Sequence, residues 1–257
     1  MVGFVAILET TFVLQNAFWY AAHRFDWFPS WRVHGQAGKY PDDALVRECL
    51  KDHLIDSLVV RWFVLYGAYD LFTWRGGDFA AIGSEGMPAS AGALARDLLI
   101  CILVDDTWFY WSHRLLHTKL LYKAIHKQHH KFRVTVGIAA EYAHPVEGIV
   151  SNAASTIVGP LLLGSHVSVL WLYTFLKLHQ TIEAHSGYIV PYPYSAWSLF
   201  DVMENGRHEF HHSHNVGNFG GMFFFWDAMM GTDAAFRKWR AKNGVGALGK
   251  EAEKKEN

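Results

Sequence analysis

Apolar and polar positions divide the chain into long apolar runs separated by short polar joints. Residues 2–22 are apolar and aromatic, interrupted by Glu9, Gln15 and Asn16, with neither a basic segment before them nor a small-residue cleavage site after them. That pattern predicts a membrane anchor rather than a cleaved leader. Residues 26–52 are mixed and polar, a connector at a membrane surface or in the cytosol. A second apolar stretch, Leu54 to Trp74, carries Asp56, Arg61 and Asp70, so a span and an amphipathic helix inside a bundle both remain open. Gly76 to Ala91 reads as a loop, and a helix is predicted from about Ala93 to His117. His144-Pro-Val-Glu147 has the form of a helix start, with proline at the first helical position and an acid in the first turn. Apolar segments Gly148–Leu163 and Val167–Leu178 follow, broken at Gly164-Ser165, and Pro191 and Pro193 close the region. From Ala234 the chain is charged and predicted helical before it loosens into a polar tail. No alternation long enough for a sheet occurs. A hydrocarbon core of about 30 Å needs about 20 apolar residues per helix. The expectation is therefore an all-α, multi-span membrane bundle with four spans or paired half-spans. It forms one domain over residues 1–257, with its chemistry in 96–233 and a charged tail in 234–257.

Composition supports a chain that meets lipid. Aromatic residues make up 16% and charged residues only 18%, against about 25% charged in soluble domains. The net charge of −1 excludes a global basic field for nucleic acid. Cys49 and Cys101 stand far apart in unrelated contexts, which argues against a disulfide framework and fits a reducing compartment. Lys119, Lys123, Lys127, Lys131 and Arg133, with Arg237, Lys238, Arg240 and Lys242, flank the histidine-rich segments, and this bias places them on the cytoplasmic side.

Of 16 histidines, 13 lie between His113 and His214. His113 and His117 form an i, i+4 pair on one helix face. His126, His129 and His130 form a second cluster and His208, His211 and His212 a third, both at i, i+3, i+4 spacing, so one turn presents two rings together and a third beside them. One structural zinc needs four ligands, so eight imidazoles imply two metal ions. Imidazole suits iron, zinc, copper or nickel rather than magnesium or calcium. Two redox metals beside an apolar cavity would suit activation of dioxygen against an unreactive C–H bond. His144, before one apolar helix, and His185, after another, are further candidates, with a structural role weighed equally. Asp105 and Asp106 interrupt an apolar helix, where carboxylates are costly. Asp106 shares a face with Tyr110, His113 and His117 but lies about 10 Å along the axis from His113. It is a candidate catalytic-site residue through a hydrogen bond to a histidine of another segment, with a solvated or Arg61-paired acid as the alternative. Trp108, Tyr110, Trp111, Tyr142, Tyr188 and Phe210 are candidate cavity walls, with bundle core weighed equally for each.

The order His-x3-His, His-x2-His-His, His-x2-His-His resembles the fatty acid hydroxylase and sterol desaturase superfamily. Asp-Thr-Trp (106–108), His-Arg-Leu-Leu-His (113–117), Glu-Tyr-Ala-His-Pro (141–145), Glu-Ala-His-Ser-Gly-Tyr (183–188) and Trp-Asp-x3-Gly-Thr (226–232) are similar to its 4-methylsterol monooxygenase branch. The resemblance covers most of the chain. It implies an endoplasmic reticulum enzyme, a non-heme di-iron oxidoreductase of sterol biosynthesis. Such an enzyme oxidises a sterol C4 methyl group through alcohol and aldehyde to carboxylate. It implies O2 as oxidant, electrons from NAD(P)H through cytochrome b5 and its reductase, and association with other enzymes of sterol C4 demethylation. The implied ligands are His113, His117, His126, His129, His130, His208, His211 and His212, joined by His185; His144 matches the family's His-Pro motif. A related pattern has a histidine four positions before the one matching His185, where this chain has Thr181. Lys254 and Lys255 fit a dilysine retrieval signal. Within the same scaffold the alternatives are a sterol C5 desaturase or another lipid hydroxylase; outside it, a zinc-binding membrane protein.

Overall fold

The computed structural model describes residues 2–33, 40–76, 88, 90–191, 194–195 and 206–243. Most of the Gly76–Ala91 segment, Pro193 and the dilysine tail lie outside the described residues. The regular elements among the described residues are all helices, with an isolated antiparallel bridge between Arg32 and Tyr188 and no strand. The helices are α1 (Val2–Arg24), α2 (Asp43–Ile55), α3 (Arg61–Trp74) and α4 (Ala91–Leu116). They continue with α5 (Pro145–Leu163), α6 (Val167–Ala184), α7 (Arg207–His214), α8 (Phe225–Met230) and α9 (Ala234–Asn243).

Local chemistry sets the boundaries. Asp42 and Ser90 cap α2 and α4 by accepting the backbone N–H of Ala44 and Ala93, each at 3.1 Å. The predicted start of α5 is observed: Pro145 occupies the first turn and His144 Nδ1 accepts the Val146 N–H at 3.2 Å. The predicted break after it is also observed, where Gly164 takes φ +60° and ends the helix. The polar connector differs from expectation, because helix begins at Asp43 and runs through a π-turn, Asp56–Val60, into α3. Further π-turns lie at Tyr122–His126 and Gly148–Ala153; such turns recur at functional sites.

Helix α4 packs along α5 and α1 along α6. At the first contact a Cβ on Gly159 would stand 2.8 Å from the Cys101 Cα, so only glycine permits this approach. The main core joins Phe4, Leu8 and Phe12 of α1 to Phe132, Ile138 and Tyr142 of the segment between α4 and α5, and to Leu178 and Ile182 of α6. Outside, Leu14, Phe18, Phe63, Trp74, Leu103 and Leu115 are each more than 40% exposed. An apolar surface of this extent marks a face that meets lipid or protein. Helices α1 and α5 are long and apolar enough to cross a membrane.

Candidate metal centre

Nine of the predicted histidines converge into two groups. His113, His117, His126, His130 and His211 form one, and His129, His185, His208 and His212 the other; within each, one nitrogen per ring lies within 4.8 Å of all the others. The second and third clusters each serve both groups. His126 and His130 join the first group while His129 turns to the second, and on α7 His208 and His212 join the second while His211 turns to the first. The predicted division of two rings to one side and one beside them thus holds. The local structure is not one α-helical turn in both cases, because the second cluster spans a π-turn and a 3-10 turn, His129–Lys131. The groups adjoin, with ring centroids of His130 and His212 4.8 Å apart.

The outer ring nitrogens are tied to the fold. His113 Nδ1 faces the Phe219 carbonyl at 2.9 Å, His129 that of Tyr142 at 3.1 Å, and His185 that of Thr181 at 2.8 Å. His211 faces the Gly217 carbonyl at 2.5 Å and His212 that of Phe132 at 3.0 Å. A carbonyl only accepts, so each of these Nδ1 atoms carries the proton and each Nε2 presents a lone pair. His126 Nδ1 meets a carboxyl oxygen of Glu147 at 2.8 Å. His208 Nε2 faces the lone pairs of His185 Nε2 and His212 Nε2 at 2.8 and 3.1 Å, and a single ring proton cannot serve both. A cation among these lone pairs relieves the conflict, and about 3.0 Å is the edge expected when two nitrogens bind one ion at right angles with bonds of about 2.1 Å. Burial reinforces the donor set: it pushes His129 down to about 4 and holds His208, His211 and His212 well below the usual imidazole range, so the rings are neutral at neutral pH. The residues present fit a pair of nitrogen-ligated metal ions.

His144 is not brought to either group; it is half-exposed and its Nδ1 is used in capping α5. Asp106 Oδ1 accepts the backbone N–H groups of Met222 and Phe223 at 3.1 and 2.9 Å rather than meeting a histidine. Arg61 pairs instead with Glu9, Asp56 and Glu141. Thr181 contributes its carbonyl to His185. Glu147, read in the sequence as a helix-start acid, meets His126 across an interval of 21 residues. Asp227 accepts from Phe219 and Gly220 N–H at 2.9 and 2.8 Å and from Thr232 Oγ1 at 2.6 Å. The Trp-Asp-x3-Gly-Thr motif therefore shapes the loop whose carbonyls hold His113 and His211.

A cavity of about 410 Å³ opens onto the histidines, with His113, His126, His129, His185 and His208 in its wall. Its other walls are mostly apolar: Phe4, Leu8, Leu65, Phe109, Ile157 and Leu178 are among them. None of the six aromatic residues weighed as wall or bundle core lines it. Trp108 and Trp111 point outward, 40% and 43% exposed, whereas Phe109 faces the cavity. Successive helix positions differ by about 100°, so Phe109, four residues before His113, shares its face and Trp108 does not. Tyr110, Tyr142 and Phe210 are buried in packing elsewhere.

Residues 98–232 match the sequence profile described as Fatty acid hydroxylase. The chain is 38% identical over 209 residues to methylsterol monooxygenase 1 of Rattus norvegicus, covering 80% of this chain and 68% of that protein. It is 34% identical to methylsterol monooxygenase 2-1 of Arabidopsis thaliana, covering 76% of this chain and 74% of that one. It is also 39% identical over 155 residues to very-long-chain aldehyde decarbonylase GL1-11 of Oryza sativa subsp. japonica, covering 58% and 56%. No solved structure matches the chain.

Proposed function

We propose, for a chain that belongs to the fatty acid hydroxylase family, the role of a membrane-bound, non-heme di-iron monooxygenase that oxidises the C4 methyl group of sterol intermediates. The observation that carries this reading is the shared wall: five of the nine clustered histidines line the large apolar cavity. The names of the rat and Arabidopsis relatives supply the substrate class. One iron would be held by His113, His117, His126, His130 and His211, the other by His129, His185, His208 and His212. When bound, the iron pair supplies the redox chemistry that activates O2 against a C–H bond. The chain's own residues do the rest. Carbonyls and Glu147 lock the imidazoles in one tautomer and orientation. The apolar walls hold the lipid against the histidines and exclude water. Asp106 acts through the Met222–Phe223 backbone as a positioning residue.

The apolar outer surface and the two long apolar helices support a single multi-span domain in the endoplasmic reticulum membrane, its histidines toward the cytosol. Exposed Lys119, Lys123, Lys127, Lys131 and Arg133 surround the second histidine cluster and suit an acidic electron donor such as cytochrome b5. Microsomes carrying the protein, given 4,4-dimethylsterol, O2 and NAD(P)H with cytochrome b5 and its reductase, are expected to yield C4-oxidised sterol. Turnover of a different lipid, a sterol C5 double bond or loss of carbon from a long-chain aldehyde without any C4 oxidation overturns the assignment. Zinc after anaerobic iron loading, with no O2 uptake on reduction, removes the oxygenase reading altogether.

A further inference from the structure

In the wall of the large cavity, three buried side-chain atoms have no hydrogen-bond partner in the protein: Glu147 Oε2, Ser151 Oγ and Thr174 Oγ1. Thr174 lies at the remote end, eleven residues before His185 on α6, about 16 Å along the axis. The other two lie together. Glu147 and Ser151 are one turn apart on α5, around the π-turn Gly148–Ala153, and are 4% and 1% exposed. Glu147 Oε1 is occupied by His126 Nδ1 at 2.8 Å, so the same carboxylate has one oxygen on a histidine of the first group and the other unused. A buried unsatisfied acceptor costs about 1–3 kcal/mol, more when charged. An apolar cavity that retains one acceptor and one hydroxyl beside its reacting end is built to satisfy a polar group on the ligand.

We propose that Glu147 Oε2 and Ser151 Oγ form a substrate subsite for a lipid alcohol, whose hydroxyl lies beside the carbon presented to the histidines. The carboxylate accepts the ligand's O–H, and the Ser151 hydroxyl donates to the ligand's oxygen. This subsite rests on the proposed function only for the choice of sterol. A 4-methylsterol satisfies the geometry because its hydroxyl-bearing carbon adjoins the carbon that carries the methyl group. The carboxylate selects an alcohol over a ketone or an ether, whereas the serine treats all three alike, so the two residues have separable signatures.

The test is competitive binding to the full-length, metal-loaded protein in lipid nanodiscs, read by displacement of a fluorescent sterol. The competitors are the 3-alcohol, 3-ketone and 3-methyl ether of one 4,4-dimethylsterol, with a long-chain alcohol, ketone and methyl ether in parallel. The alcohol is expected to bind about tenfold or more tighter than its ketone and ether. Ser151→Ala weakens all three about three- to tenfold and preserves their ratio. Glu147→Gln retains an oxygen for His126 and turns an N–H into the cavity, so the preference shifts toward the ketone. Bound metal is measured for both variants; should Glu147→Gln lose it, the wild-type ratio and Ser151→Ala still decide. Equal affinity of the wild type for alcohol, ketone and ether overturns the subsite. A preference confined to the long-chain alcohol keeps the subsite and overturns the sterol reading.

Discussion

His113 Nδ1 donates to the carbonyl oxygen of Phe219 at 2.9 Å, so a loop that carries none of the clustered histidines is part of the metal centre. Asp227 holds that loop through the Phe219 and Gly220 N–H groups, and Asp106 holds it through those of Met222 and Phe223. Replacing Asp227 by Ala is expected to lower metal affinity about 10–100-fold while the helices persist. Metal titration alongside far-ultraviolet circular dichroism checks this. Unchanged affinity would show that the loop keeps its shape without the carboxylate.

The two histidine groups predict separable losses. His212 belongs to the group of four and His117 to the group of five. His212→Ala should leave about one metal ion per chain instead of two, with the retained ion in the first group. His117→Ala should retain more metal, because four ligands remain there. Elemental analysis of the purified variants measures the stoichiometry; equal losses from both variants would contradict the grouping.

The contact of α4 with α5 has its own signature. A side chain at position 159 would collide with the Cys101 backbone, and overpacking of this kind costs about 1–3 kcal/mol. Gly159→Val is expected to lower the thermal midpoint in detergent by several degrees. Gly148→Ala, where an added Cβ meets nothing within 4 Å, serves as the control and should change the midpoint little.

Charge reversal tests the electron-donor face. Lys123 and Lys127 are exposed and frame His126. Lys123→Glu with Lys127→Glu should raise the KM for cytochrome b5 several-fold with little change in lipid affinity, and the wild-type rate should fall with salt. Insensitivity of turnover to both the substitutions and ionic strength would place the donor elsewhere.

Features fixed by local spacing were legible in the sequence. The i, i+4 pairs and the third ring of each cluster announced the histidine sites, and His144-Pro145 and Gly164 marked helix ends through capping chemistry that needs only neighbours. Features fixed by tertiary approach were not. Glu147 reaches His126, and the Phe132 carbonyl reaches His212, across intervals that carry no periodic signal. Of the six rings read as cavity wall or bundle core, Tyr110, Tyr142, Tyr188 and Phe210 are core and the two tryptophans face outward, whereas Phe109, one turn before His113, faces the cavity.

His129 and His130 are adjacent residues assigned to different groups, and so are His211 and His212. Adjacent Cα atoms across a trans peptide are about 3.8 Å apart whatever the rest of the chain does. The separation between the groups is thus gauged twice, by covalent bonds on two independent segments. A ligand entering the cavity can displace loops and rotate side chains, but it meets a centre whose span is set like the jaws of a caliper locked at both ends.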